Sequence, residues 1–403
     1  MKGNLKKIYH FLFAYLGNLI YRRPSRELFV LGVTGTKGKT TVLEIINSAL
    51  EASGEKTAAC SSIRFKIGSE SEPNLSNNTM PGRFFIQKFL RKAADEKCKY
   101  ALIEVTSEGV RQYRHRFIDF DAAMILNLHP EHIESHGGFL KYRDAKLQFF
   151  RDVGRESGKS PKYFFVNSDD QNAKYFVEAA GQGEVILFSK SGIESKIPGE
   201  FHKYNLGAAE SFLKMAGVKQ PVIKRALRDF AGIPGRLEFV TRSPFKVVVD
   251  YAHTPDSLKA VYETLSSRKI KPVGAKMICV LGSCGGGRDR WKRPRFGEIA
   301  YDYCDRIILT NEDPYDEDPT AILREIKSGI GAKKLKSTEE ILDRGSAIRR
   351  AISVAGRGDV VVITGKGSEP YIHIEDGERI PWSDKQAVLE AILEISDKRR
   401  ARV

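Results

Sequence analysis

The segment Gly32-Val33-Thr34-Gly35-Thr36-Lys37-Gly38-Lys39-Thr40-Thr41 follows an apolar run and opens a helical one. Glycines let backbone N–H groups close around phosphate oxygens, and a helix N-terminus favours an anion. Lys39 then brings charge to terminal phosphates and Thr40 a hydroxyl for Mg²⁺, with Gly35, Thr36, Lys37, Gly38 and Thr41 completing the cradle. The full G-x-x-x-x-G-K-[ST] spacing would place Gly at position 33, where Val stands, so this is a shortened variant. Strand, glycine loop and helix in that order require an α/β sheet with the loop at its carboxyl edge.

Further apolar runs extend that reading over the chain. Residues 28–33, 101–105, 122–126, 163–166, 185–188, 246–249, 277–281, 306–309 and 360–363 read as strands, and 41–52, 139–150, 256–265 and 384–395 as helices. Their alternation predicts an α/β protein with parallel sheets. At 232–238, GIPGRLE interrupts a helix before a new strand series. The chain of 403 residues therefore divides into an N-terminal segment 1–27, a phosphate-loop domain 28–237 and a second α/β domain 238–403.

Lys and Arg exceed Asp and Glu by 66 to 51, and the resulting +15 raises nucleic acid or an anionic membrane as a partner. The excess is uneven. Residues 1–27 hold Lys2, Lys6, Lys7, Arg22, Arg23 and Arg26 against Glu27, and the tail holds Lys398, Arg399, Arg400 and Arg402 against Asp397. The remainder is mildly basic and has no aromatic-basic recognition module, so nucleic acid is not expected. The apolar run 8–20, IYHFLFAYLGNLI, is too short to span a bilayer. Without an A-x-A site behind it, it reads as a packed N-terminal helix or an interfacial one with Arg22 and Arg23 near lipid head groups, in preference to a cleaved signal. Five widely spaced cysteines with no C-x-x-C pair point to free thiols in a reducing cytoplasm, without a disulfide framework or zinc site.

Polar residues at strand ends narrow the chemistry. Glu104 closes ALIEV, where a carboxylate suits Mg²⁺. NLHPEHIESHGG gathers His129, His132 and His136 into a phosphate or metal neighbourhood, the alternative being a satisfied surface turn. Lys146, in YRDAKLQFF, reads by itself as a solvated lysine.

Together GVTGTKGKTT, EVTSEGVRQYR, NLHPEHIESHG, YRDAKLQFF, VNSDD, GEFHKYNLGAA, GIPGRLE, VDYAHTPDSL, LGSCGGGRDRWKRP, TNEDPYDEDP and GKGSE, over residues 28–395, resemble the Mur ligase family and its tripeptide-synthetase (MurE-type) branch. The resemblance implies a P-loop ATPase domain followed by a Rossmann-like ligase domain. It implies amide formation driven by ATP: a substrate carboxylate becomes an acyl phosphate, which the amine of an amino acid attacks. In that scheme Lys39 binds the β/γ-phosphates, Thr40 and Glu104 hold one Mg²⁺, His132 helps with a second, and Lys146 is carbamylated into an anionic metal ligand. Asn205 matches an adenine contact, Arg236 an arginine reaching phosphate, and Asp250 a ribose-side carboxylate. Asn78, Thr79, Ser107 and Arg114 match contacts to a muramyl-peptide acceptor, and Arg288, Asp313, Gly365 and Glu369 contacts to the amino acid. The implied protein is a cytoplasmic monomer whose partners are those two substrates.

Four departures qualify this. The family's D-N-P-R reads Glu312-Asp313-Pro314-Tyr315. The arginine that clamps the distal carboxylate of diaminopimelate is missing and an acidic pair stands in its neighbourhood, which favours an amine-bearing side chain such as lysine. Ser368 replaces the His of GKGSE, and Gly287 replaces the Asp before Arg288. Members of the family also carry a UDP-binding domain ahead of the loop, whereas 27 residues precede the first strand here. Either the uridine nucleotide is held differently or the acceptor is not a UDP sugar, and a lipid-linked acceptor at the inner membrane face is then the expectation. The rival readings are a folylpolyglutamate-synthetase-like or cyanophycin-type ligase, and a basic P-loop nucleic-acid ATPase.

Overall fold

The computed structural model describes residues 2–76, 78–131, 136–287 and 289–400, with the backbone alone for 2–8 and 396–400. Two compact units, Met1–Ala231 and Gly232–Val403, divide the chain at the start of the Gly/Pro break.

In the first unit α1 (Lys2–Ile20) leads into β1 (Phe29–Thr34), α2 (Lys39–Ala52), β2 (Thr57–Cys60), β3 (Arg64–Ile67), β4 (Glu70–Pro73), α3 (Arg83–Asp95), β5 (Tyr100–Glu104) and α4 (Ser107–Arg111). It continues through β6 (Ala122–Ile125), α5 (Phe139–Glu156), β7 (Tyr163–Asn167), α6 (Ala173–Ala179), β8 (Glu184–Phe188), α7 (Glu200–Met215) and α8 (Gln220–Asp229). Among the described residues these strands form one sheet in the order β4-β3-β2-β5-β1-β6-β7-β8. Successive side chains of β1 alternate between its faces. Val30 joins the core under α3 and α5, while Leu31 and Val33 join the core under α2 and α7. A Cβ on Gly32 would sit 2.4 Å from the Phe149 ring, so glycine is what lets α5 approach the strand.

The parallel expectation holds from β2 through β8 in sheet order but not at one edge, where β3 and β4 fold back antiparallel. RFKI alternates over only four residues, and ESEP lacks the alternating apolar pattern that marks a half-buried strand and is exposed along its whole length. Residues 1–27 belong to this unit: Gly17 of α1 lies against Phe84 and Gln87 of α3. Among the described residues no helix is long and apolar enough to cross a membrane.

The second unit runs β9 (Glu238–Thr241), β10 (Lys246–Asp250), α9 (Pro255–Ser266), β11 (Met277–Leu281), α10 (Lys292–Tyr303), β12 (Arg306–Leu309), α11 (Pro319–Lys327), β13 (Thr338–Glu340), α12 (Arg344–Ser353), β14 (Val360–Thr364), β15 (Tyr371–His373), β16 (Arg379–Pro381) and α13 (Asp384–Arg400). Its main sheet has the order β13-β12-β11-β14-β10-β9, parallel except for β9. The return of β14 between β10 and β11 opens a crevice at the carboxyl ends of these strands. Arg344 is fully buried and fastens this end of the unit: it donates to both carboxylate oxygens of Asp384, at 2.7 and 2.8 Å, and to the carbonyls of Asn311 and Thr364.

Cys279 and Cys304 form a disulfide, with Cα atoms 6.0 Å apart. This corrects the expectation of unpaired thiols: Cys304 caps the C-terminus of α10 just before β12, and the parallel pairing of β12 with β11 brings that helix end close to Cys279. Cys60, Cys98 and Cys284 are free.

Candidate active site

The glycine loop joins β1 to α2 as its sequence requires. Gly38 precedes the helix at φ 86°, and a Cβ there would lie 2.3 Å from Asn205 Oδ1. Asn205, on α7, is therefore seated directly against the loop. Asn127 braces the loop from the end of β6, accepting from Lys37 N at 2.9 Å and donating to Lys37 O at 3.0 Å. Lys39 curls over the loop, its Nζ 2.9 Å from Gly35 O and 3.1 Å from Thr36 O. Lys37 pairs with the buried Glu131 at 2.7 Å. Thr41 sits in the first turn of α2.

Glu104 and Thr40, far apart in sequence, meet through a residue that sequence reasoning missed. The Ser62 hydroxyl lies 2.9 Å from Thr40 Oγ1, and Ser62 N donates to Glu104 Oε1 at 2.9 Å. Only the unforeseen turn between β2 and β3 brings Ser62 here. Glu104 is 1% exposed at the end of β5. Two hydroxyls and a buried carboxylate are hard oxygen donors, a set that fits Mg²⁺.

Lys146 is the clearest departure from its sequence-level reading as a solvated side chain. It is 2% exposed on α5, and its Nζ donates to Gly35 O at 2.9 Å and lies 3.3 Å from Thr34 Oγ1. Burial, and then the nearby Lys39 and Lys37 ammonium groups, hold its pKa well below the ordinary lysine value, with Glu131 opposing. Beside it Tyr142 OH lies 3.1 Å from Thr36 Oγ1, His129 N donates to Thr36 Oγ1, and the His136 ring contacts Tyr142 edge-on. His136 Nε2 lies 3.1 Å from Ser107 Oγ, so its ring reaches the loop's surroundings, whereas His129 does so through its backbone and its side chain is exposed. His132 lies outside the described residues. Arg114 reaches Asn78 Oδ1 at 3.5 Å and also bonds Met80 O and Gln112. Thr79, half-buried, adjoins that pair.

In the second unit the strand ends converge on a buried charge cluster. Lys366 Nζ contacts both oxygens of Asp313 at 2.8 Å and Glu369 Oε2 at 2.7 Å, and Glu369 Oε1 accepts from Tyr251 OH at 2.8 Å. Burial works against its charge, but Glu369 and Asp313 raise the Lys366 pKa. Glu312 is 3% exposed, and its Oε2 has no hydrogen-bond partner. Burial raises its pKa, partly countered by Lys292. A Cβ on Gly365, at φ 108°, would lie 2.3 Å from that same oxygen. Tyr315 stacks on His373, with centroids 5.2 Å apart and planes at 17°. Arg236 lies over the Tyr251 ring at 4.0 Å. Both Asp250 oxygens accept backbone N–H groups, from Leu237 and Ala252, which anchors the Gly/Pro break to β10. Arg288 lies outside the described residues.

Gly38→Ala combines a left-handed backbone with the Asn205 clash. Calorimetric titration is expected to show nucleotide affinity at least about tenfold weaker, each such factor being about 1.4 kcal/mol; an unchanged Kd would remove this contact from the nucleotide site.

The Mur ligase middle domain matches residues 33–213, and the Mur ligase glutamate ligase domain residues 235–367. A UDP-N-acetylmuramoyl-L-alanyl-D-glutamate–2,6-diaminopimelate ligase of Syntrophomonas wolfei is 36% identical, covering 94% of this chain and 81% of that protein. A UDP-N-acetylmuramyl-tripeptide synthetase of Treponema denticola is 32% identical, covering 93% and 78%. A solved 2,6-diaminopimelate ligase of the same description is 29% identical, with a TM-score of 0.61 over 92% of this chain and 79% of that one. The fold alone is shared with Mycobacterium tuberculosis folylpolyglutamate synthase, 16% identical with a TM-score of 0.68 over 88% and 92%. Two matched domains in this order, and relatives more than 30% identical along nearly the whole chain, show that the chain belongs to the Mur ligase family.

Proposed function

We propose that this protein uses ATP to join an amino acid to the carboxylate of a muramyl-peptide precursor of the cell wall. The observation that carries this reading is Lys146, a buried amine placed against the loop that would hold the phosphates. A carboxylate oxygen of the acceptor attacks the γ-phosphorus, and ADP leaves. The amino acid's unprotonated amine then attacks the acyl carbon; phosphate leaves, and the amine's extra proton passes to solvent. Lys39 and the N–H groups of the loop neutralise charge on the transferred group, while Asn205 orients the nucleotide. Thr40, Glu104 and Ser62 would hold Mg²⁺, which when bound offsets phosphate charge. His132 belongs to this proposal as a second-ion ligand, Arg236 and Asp250 as nucleotide contacts, and Asn78, Thr79, Ser107 and Arg114 as the acceptor's neighbours.

Lys146 is assigned to carbamylation. Its neutral amine adds to CO₂, releasing one proton and leaving a carbamate. Lys39 and Lys37 favour an anion at that position. An ammonium there would repel a metal; a carbamate supplies an oxygen ligand.

For the amino acid, the unpartnered Glu312 oxygen favours a side chain ending in an amine, with Gly365, Glu369 and Arg288 near its backbone groups and Asp313 held in place by Lys366. Tyr315, stacked on His373, presents no guanidinium to a distal carboxylate. Phosphate release across a panel of amino acids, with UDP-linked, lipid-linked and folate acceptors, tests both halves. Lysine or ornithine is expected to exceed meso-diaminopimelate by at least about tenfold, the range of one buried charge contact. Turnover with diaminopimelate alone would overturn the side-chain assignment, and turnover only with a folate acceptor would overturn the cell-wall one. In this reading the enzyme is a cytoplasmic monomer, and residues 1–27 contact the inner face of the membrane.

A further inference from the structure

A helix on a protein surface ordinarily turns polar residues outward, and α1 does the reverse. Ala14, Gly17 and Asn18 face inward and are buried. At about 100° per residue, Tyr9, Leu12, Phe13, Leu16, Leu19 and Ile20 fall within one arc on the far side. All six are exposed, from 38% at Phe13 to 60% at Ile20. Isolated exposed apolar residues are common, but a contiguous face of six large ones marks a docking surface. The flank is tied down: the rings of Phe11 and Tyr15 pack on Phe117, at 5.1 and 5.3 Å. The helix is thus held in place with its apolar face outward.

Charge selects the occupant. Residues 2–26 contain no Asp or Glu, while Arg22 and Arg23 follow the helix directly. Both are exposed, both take left-handed backbone angles (φ 56° and 49°), and neither forms an ion pair among the described residues. In a two-fold dimer formed through this face, the same patch would meet itself. The arginines at its border would then approach their own copies with no acid in the segment to compensate. An anionic bilayer satisfies both features at once: acyl chains take the apolar arc and lipid phosphates take the arginines. At 19 residues with no stretch apolar enough to cross, α1 suits the plane of the interface.

We infer that α1 is an interfacial helix selective for anionic lipid, with Tyr9, Leu12, Phe13, Leu16, Leu19 and Ile20 entering the head-group boundary and Arg22 and Arg23 meeting lipid phosphates. The inference rests on the membrane contact proposed for residues 1–27 and adds its lipid chemistry and contact residues.

Sedimentation of the full chain with vesicles of phosphatidylcholine alone, or mixed with phosphatidylglycerol, tests it. Binding is expected to the mixed vesicles, at least tenfold weaker to phosphatidylcholine alone, and to fall as salt rises. Leu16→Glu with Ile20→Glu should abolish it, while Arg22→Ala or Arg23→Ala should each weaken it about fivefold. Both apolar positions are exposed, so circular dichroism and phosphate release with a soluble acceptor should match the unsubstituted protein. Equal binding to both vesicle types would overturn the lipid selectivity and leave the membrane contact standing. Absence of binding to any vesicle would overturn both, as would a dimer in sedimentation velocity that Leu16→Glu dissolves without vesicle binding by the monomer.

Discussion

Lys146→Ala is expected to lower kcat on the order of a thousandfold, the size of effect seen when one preorganised electrostatic group is removed from a reaction centre. The amine is buried, bonds Gly35 O, and lies next to Thr34 of the strand leading into the loop. A short carboxylate such as formate should restore part of the rate by occupying the space of the carbamate. Two controls separate chemistry from folding. Nucleotide affinity should change far less than kcat, and bicarbonate depletion should lower the rate of the unsubstituted enzyme but not that of the variant. Unaltered turnover in Lys146→Ala would refute the carbamate.

Arg344→Met is the second large effect, this time on stability. Arg344 and Asp384 are 1% and 0% exposed as side chains, so removing the guanidinium leaves a buried carboxylate without its cation. Breaking such a pair costs about 3–5 kcal/mol, and for a unit of this size that lowers the melting temperature on the order of 10 °C. The cost includes carbonyl contacts to Asn311 and Thr364, which position the strand ends leading to Glu312 and Gly365. Calorimetry should therefore show the second unit's transition moving while the first stays in place. Arg344→Met with Asp384→Leu should recover much of the loss, because no charge is then stranded. Equal melting temperatures for Arg344→Met and the unsubstituted protein would mean that solvent reaches Asp384.

The parallel strands were legible because each is a run of apolar residues covered on both faces; VVVIT and MICVL are such runs. RFKI alternates over only four residues, and TAAC and ESEP offered no comparable pattern, so the β2–β4 edge was missed, and with it Ser62. The phosphate loop was legible because its function demands specific residue types at fixed spacing. Lys146 was not: a helical lysine looks the same in sequence whether it meets solvent or a strand. Only family resemblance singled it out, and its burial comes from the packing of α5 against β1. Tyr142 and Asn127 carried no signal, since their positions depend on contacts between elements distant in the chain. The Cys279–Cys304 pairing failed for the same cause.

The acidic strand β4 bears on how this chain behaves when concentrated. It forms one margin of the eight-stranded sheet, and there its Glu70, Ser71, Glu72 and Pro73 are all open to solvent. An unpaired strand is a template for another molecule's backbone, and carboxylates together with a residue lacking an N–H deny that template. Colloidal stability of the folded enzyme is therefore expected to depend on these four residues, none of which belongs to the candidate site. Glu72→Val with Pro73→Thr would leave turnover intact while inviting edge-to-edge fibrils, visible as light scattering that grows with protein concentration.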